Sequence, residues 1–174
     1  MKRNDGIVLS GVVDTIIEYT AQVVTDMTGQ SLHATVLHAN NFEQDREPPR
    51  ILNFDLDMTN RELVMYFDET VRETTLNVTQ LAFLADVSAV STIPPVWLTS
   101  NSVLQRQVND TVIAITIGVL DMNSIKAAGS TAIGAASTFL AVLPGAISDM
   151  NQNKVQERVL GWCLGGTRVV LGRC

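Results

Sequence analysis

Apolar and polar residues alternate in short runs along most of this chain. Between Leu52 and Met58 the apolar Leu52, Phe54, Leu56 and Met58 are separated by Asn53, Asp55 and Asp57. A period of two marks a strand with one buried and one wet face. It predicts that the four apolar side chains point inward and the polar ones outward. Thr59-Asn60 supplies a turn. Leu63, Met65 and Phe67 then alternate with Glu62, Val64, Tyr66 and Asp68, which predicts a second strand and hairpin partner. Further strands are predicted over Val78–Leu84, Val96–Thr99 (after Pro94-Pro95), Thr111–Ile117, Ser137–Leu143 and Lys154–Val159. Val119–Gly129 breaks the rhythm. Leu120, Ile125 and Ala128 share one face of a short helix there, with Gly129 as its stop.

Short strands of this kind cannot bury their apolar faces alone. Two sheets must pack those faces together. The expected fold is therefore all-β: an antiparallel Ig-like β-sandwich with one short helix.

A second pattern has a longer period. "TIIEYTAQVVTDMTGQSLHA" (15–34) is echoed by "TFLAVLPGAISDMNQNKVQE" (138–157), and Asp26-Met27 recurs as Asp149-Met150, 123 positions on (149 − 26). Each copy runs apolar, reaches Asp-Met, turns, and resumes as a strand. The echo divides the chain into four stretches. Residues 1–40 are expected to be the C-terminal part of a preceding repeat. Residues 41–49 are a polar linker stiffened by Pro48-Pro49. Residues 50–157 form a complete repeat, and 158–174 are an off-pattern tail that echoes nothing upstream.

Composition narrows the function. At 46% hydrophobic and 17% charged, the chain can bury a core. A net charge of −6, with only three Lys and nine Arg and no basic run, argues against a nucleic-acid surface. Cys163 and Cys174 are the only cysteines, so the body carries neither a disulfide framework nor a thiolate metal site. No apolar stretch is long enough to span a bilayer, and the apolar run after Lys2 and Arg3 stops at Asp14, a poor fit to a signal peptide.

Candidate chemistry is sparse. Asp55-Leu56-Asp57-Met58-Thr59 resembles the Asp-x-Asp-x-Thr nucleophile motif of haloacid dehalogenase phosphatases. That chemistry needs both carboxylates at the end of a parallel, fully apolar strand. The alternating pattern here places them on a wet strand face instead. The same residues, Asp55 and Asp57 with Asn60, are weak calcium candidates, because calcium favours carboxylate and amide oxygens. Asn77-Val78-Thr79 and Asn109-Asp110-Thr111 are glycosylation sequons, making Asn77 and Asn109 the modification candidates. His33 and His38 have no partner at ligand or triad spacing. Neither a glycine-rich phosphate loop nor a nucleophile elbow is present.

The run "PPRILNFDLDMTNRELVMYFDETVRETTLNVTQLAF" resembles the start of bacterial Ig-like repeats of the surface-layer and swimming-associated surface-protein type. Phe67-Asp68-Glu69-Thr70-Val71 stands where those repeats carry Phe-Ser-Glu-x-Val/Leu, with Asp68 for the Ser. Their closing Asp-x-x-Gly-Asn is matched by Asp26-Met27-Thr28-Gly29-Gln30 and by Asp149-Met150-Asn151-Gln152-Asn153. Each copy departs at one position, Gln30 for the Asn and Gln152 for the Gly. The resemblance covers residues 12–157. It implies a non-enzymatic structural or adhesive module of a large extracellular or cell-surface protein. Such a module needs no catalytic residues or cofactor, and its partners are neighbouring repeats, other surface proteins or a second copy of itself. A calcium- or ligand-binding sandwich module is the alternative reading, and the phosphatase a remote one.

Overall fold

The computed structural model describes residues 11–12, 15–21, 23–87, 92–162 and 168–171, with backbone alone for 106–109, 162 and 168–171. The chain divides into two units, Met1–Arg46 and Glu47–Cys174.

The first unit holds an antiparallel pair, β1 (Ile16–Tyr19) and β2 (Thr35–His38), in the register Ile16↔His38 to Tyr19↔Thr35. The second unit holds β3 (Ile51–Asp57), β4 (Glu62–Phe67), β5 (Val71–Arg72), β6 (Leu81–Leu84), β7 (Val96–Trp97), β8 (Val103–Asn109) and β9 (Val112–Thr116). These are followed by helix α1 (Val119–Ala127) and strands β10 (Phe139–Val142), β11 (Ser148–Asp149), β12 (Arg158–Trp162) and β13 (Arg168–Leu171).

Within the second unit the strands form a four-stranded sheet, β3-β4-β9-β8, and a five-stranded sheet, β13-β12-β10-β6-β7. A small pair, β11-β5, completes the unit. Every pairing is antiparallel. Leu63, Met65, Phe67, Ile113 and Ile115 of the first sheet share one buried core with Leu81, Phe83, Leu140, Val142 and Leu160 of the second. Burying each of these side chains stabilises the fold by about 1.5–3 kcal/mol. The result is an all-β, sandwich-like architecture with one helix, as the alternation predicts.

Three features of the pattern are corrected. The first is the inward face of β3. A bulge shifts the register between Ile51, opposite Phe67, and Asn53, opposite Tyr66. Ile51 is therefore the buried residue (1% exposed), and Leu52 faces solvent (50%). Beyond the bulge the alternation resumes with Phe54 inward and Asp55 out. The second is the helix face. Asp121, Met122 and Ile125 are buried, while Leu120 is exposed. The third is the end of the sheet. The strand predicted over Lys154–Val159 falls instead at Arg158–Trp162, which pairs with β10.

The strand predicted over Val78–Leu84 starts later, and one strand appears that the pattern did not predict. Val78–Gln80 is a single 3-10 turn before β6, because Asn77 caps it by accepting the Thr79 N–H (3.1 Å). Val103–Asn109, which has no clean apolar alternation, becomes a strand by pairing with β9.

Candidate functional site

Asp55 and Asp57 lie on β3, opposite Val64 and Glu62 of the antiparallel β4. Their surroundings differ. Asp55 is exposed and accepts the Tyr66 hydroxyl (2.9 Å). Asp57 closes the hairpin. One of its oxygens accepts the N–H groups of Thr59 (2.8 Å) and Asn60 (2.9 Å), and the other accepts the Asn60 side-chain amide (2.7 Å). The Asn60 N–H, the Asn60 side chain and the Thr59 N–H hold the Asp57 carboxyl below its ordinary value of 3.8, since each favours the charged form. The turn thus brings Asp57 and Asn60 together and directs Asp57 at the backbone. Asp55 is engaged separately by the neighbouring strand.

Asn77 is exposed, and its side-chain oxygen accepts both the N–H (3.1 Å) and the hydroxyl (2.7 Å) of Thr79, its own sequon partner. Asn109 ends β8, opposite Val112; its side chain, like Cys163 and Cys174, lies outside the described residues. Beside β3, Phe54, Asp55, Leu56, Met58, Ala132 and Thr138 line an open, mostly apolar cleft of about 320 Å³.

The acidic signature after β4 has a structural use. Phe67 and Val71 are buried, and Asp68 accepts the Arg50 N–H (2.8 Å) while donating its own N–H to the Arg50 carbonyl (3.0 Å).

Asp121 escaped sequence reasoning. It is a buried carboxylate in the first turn of α1. It accepts the Thr99 N–H (2.9 Å), the Thr99 hydroxyl (2.8 Å) and the Ser102 hydroxyl (2.6 Å), and Ser102 in turn accepts the Gly118 N–H (3.0 Å). This network ties the helix start to the loop before β8. Gly118 is needed there, because a Cβ would overlap the Asn101 carbonyl. The available signal was an acid three residues after a glycine, at the third position of a helix.

The Asp-Met turns are the most informative polar features, because their backbone hydrogen bonds match one for one. In the first unit the Asp26 N–H bonds the Gln30 carbonyl (2.8 Å), the Gly29 N–H the Asp26 carbonyl (3.0 Å), and the Leu32 N–H the Val24 carbonyl (3.1 Å). In the second, Asp149 bonds Asn153 (3.0 Å), Gln152 bonds Asp149 (3.4 Å), and Val155 bonds Ile147 (2.9 Å), donor to carbonyl in the same order. Each Asp carboxylate also accepts the N–H four residues on, Gln30 (2.8 Å) or Asn153 (2.7 Å). The left-handed position is Gly29 (φ 83°) in one copy and Gln152 (φ 71°) in the other.

The likeness extends to the strands. Moving each partner of the β1–β2 register 123 positions along gives the β10–β12 register: Ile16↔His38 becomes Phe139↔Gly161, and Tyr19↔Thr35 becomes Val142↔Arg158. Arg158–Gly161 is thus the counterpart of Thr35–His38, an echo the sequence comparison missed beyond Glu157.

Fold and polar groups define an antiparallel β-sandwich module whose carboxylates close turns and anchor strands. The chain matches no family model, no curated protein and no solved structure. No helix is long and apolar enough to cross a membrane, among the described residues.

Proposed function

We propose that this chain carries immunoglobulin-like modules of a large extracellular or cell-surface protein, and that they serve as non-enzymatic structural or adhesive units. The observation that carries the reading is the repeated register. One strand–turn–strand element occurs twice, 123 residues apart, with the same pairing and the same Asp-centred turn. Repetition at a fixed period is the mark of an array, in which each module is one folding unit. Hydrogen bonds across antiparallel strands would bear load along such an array, and Pro48-Pro49 would limit bending.

The other readings find less support. A phosphatase needs two carboxylates presented at a parallel strand end, whereas Asp55 and Asp57 lie in an antiparallel hairpin with protein donors on both. A calcium site would have to displace the donors on Asp57. Thermal melts with and without millimolar calcium are expected to coincide, and an upward shift would restore the ligand-binding reading.

Labelling intact cells of the source organism with antibody against the chain tests location. Surface labelling without permeabilisation is expected; labelling only after permeabilisation removes the surface reading. Occupancy of Asn77 or Asn109 by glycan belongs to the same proposal, and a mass decrease on glycosidase treatment of the native protein would reveal it.

A further inference from the structure

The two copies of the strand–turn–strand element share a backbone but not an environment. In the second unit its inward side chains are Leu140, Val142, Ala146, Ile147, Val155 and Leu160, all buried in the sandwich core. Their counterparts 123 positions earlier are Ile17, Tyr19, Val23, Val24, Leu32 and Leu37, each apolar or aromatic. Five of these six are exposed. Ile17 is 66% exposed where Leu140 is 0%, and Leu37 is 53% exposed where Leu160 is 3%. The contrast is greatest on that face: the outward Met27 and Met150 are exposed in both copies, and the outward Ile16 and Val36 are exposed where Phe139 and Val159 are half-buried.

The backbone edges differ in the same way. β10 lies between β12 and β6, and β11 pairs with β5. The Asp149 turn is further held by Arg72, which donates to the Met150 carbonyl (3.1 Å), and by the Asn77 N–H on the Ala146 carbonyl (2.7 Å). Among the described residues, β1 pairs with β2 alone. An apolar face of this kind beside an unpaired strand edge is a docking surface.

We infer that the Ile17–Leu37 face of the first unit is the receptor for a half-module like residues 47–137, supplied by polypeptide on the N-terminal side of the hairpin. In the second unit such a half-module precedes β10, lays β6 along its edge and covers Leu140 and Leu160. The inference rests on the repeat reading above and names the partner that reading requires. The covering surface is a sheet face of Leu, Met and Ile, together with a β6-like strand that pairs with β1.

A duplicated chain tests this. Residues 47–137 are placed ahead of Thr15 in the full chain, so that Ser137 is followed by Thr15 just as it is followed by Thr138. Hydrogen exchange is then followed in the peptides covering β1 and β2. In the 174-residue chain these amides are expected to exchange fast. In the duplicated chain they should slow by orders of magnitude, to the level of β10 and β12. Ile17→Asp with Leu37→Asp should remove that protection and leave β10 and β12 protected.

Fast exchange of β1 and β2 in the duplicated chain, with β10 and β12 still protected, would overturn the inference, whether or not the added residues fold. Protection in the 174-residue chain that rises with protein concentration would overturn it in favour of a second copy as occupant. Exchange reads packing alone, so cells labelled only after permeabilisation would remove the surface role and leave this result standing.

Discussion

The β1–β2 element and its counterpart β10–β12 have the same register, the same backbone bonds in the turn and similar apolar side chains, yet one is a core and the other a surface. Local sequence is sufficient to write the strands and the turn. It does not bury them. Burial comes from the half-module packed on top, and most of the stability difference between the copies should come from that layer.

The largest expected effect is at Leu140. Leu140→Ala should destabilise the second unit by about 2–5 kcal/mol through lost burial and the cavity left behind. Ile17→Ala should change stability by no more than about 0.5 kcal/mol, as at other exposed sites. Urea denaturation of both variants measures the contrast, and equal losses would break the comparison.

Next is Asp149, which is buried and accepts the Asn153 N–H and the Asn153 side-chain amide. Asp149→Ala removes that acceptor from both donors and should cost about 1–3 kcal/mol. Asp26→Ala, at an exposed turn, should leave the urea midpoint of the second unit unchanged.

Gln152→Gly is a smaller effect of opposite sign. A non-glycine residue at φ 71° is strained by about 1–2 kcal/mol, partly offset by the chain entropy that Gly adds to the unfolded state. A gain of about 0.5–1 kcal/mol is expected, read as a higher melting temperature. A loss would mean that the Gln152 side chain contributes more than its backbone costs.

The smallest effect depends on pH. The Thr28 hydroxyl and the Gln30 N–H, with help from the Thr28 and Gly29 amides, hold the Asp26 carboxyl below its ordinary value of 3.8. A lowered folded-state value means that the turn's stabilisation is fully present above pH 3.8 and is lost as pH falls through the folded value. Asp57 behaves alike. NMR titration of the two carboxyls should give midpoints below 3.8, and a midpoint at or above it would contradict the turn geometry.

Several elements are legible in the sequence. Leu63, Met65 and Phe67 alternate cleanly and are buried as the pattern requires. The Asp-Met echo marked two turns that match in structure. Other elements were hidden for physical reasons. Leu52 is apolar and in phase, but the bulge gives its place to Ile51, and a bulge is set by the partner strand. β8 carries Gln105, Arg106 and Gln107 and forms only because β9 offers an edge. Asp121 reads as a surface acid until Thr99 and Ser102, about twenty residues away in sequence, are brought against it. The candidate ligands Asp55, Asp57 and Asn60 could be placed near one another from spacing, but not assigned to separate partners.

Alternation and turn residues, which act over a few neighbours, let the sequence by itself determine the all-β class, the antiparallel hairpins and the two Asp-centred turns. Tertiary structure alone decided which strand faces are covered, where the bulge falls, and why one copy of a repeated element is core and the other surface. Those outcomes depend on contacts between residues far apart in the chain, and no local pattern encodes which sheet will arrive to cover a face.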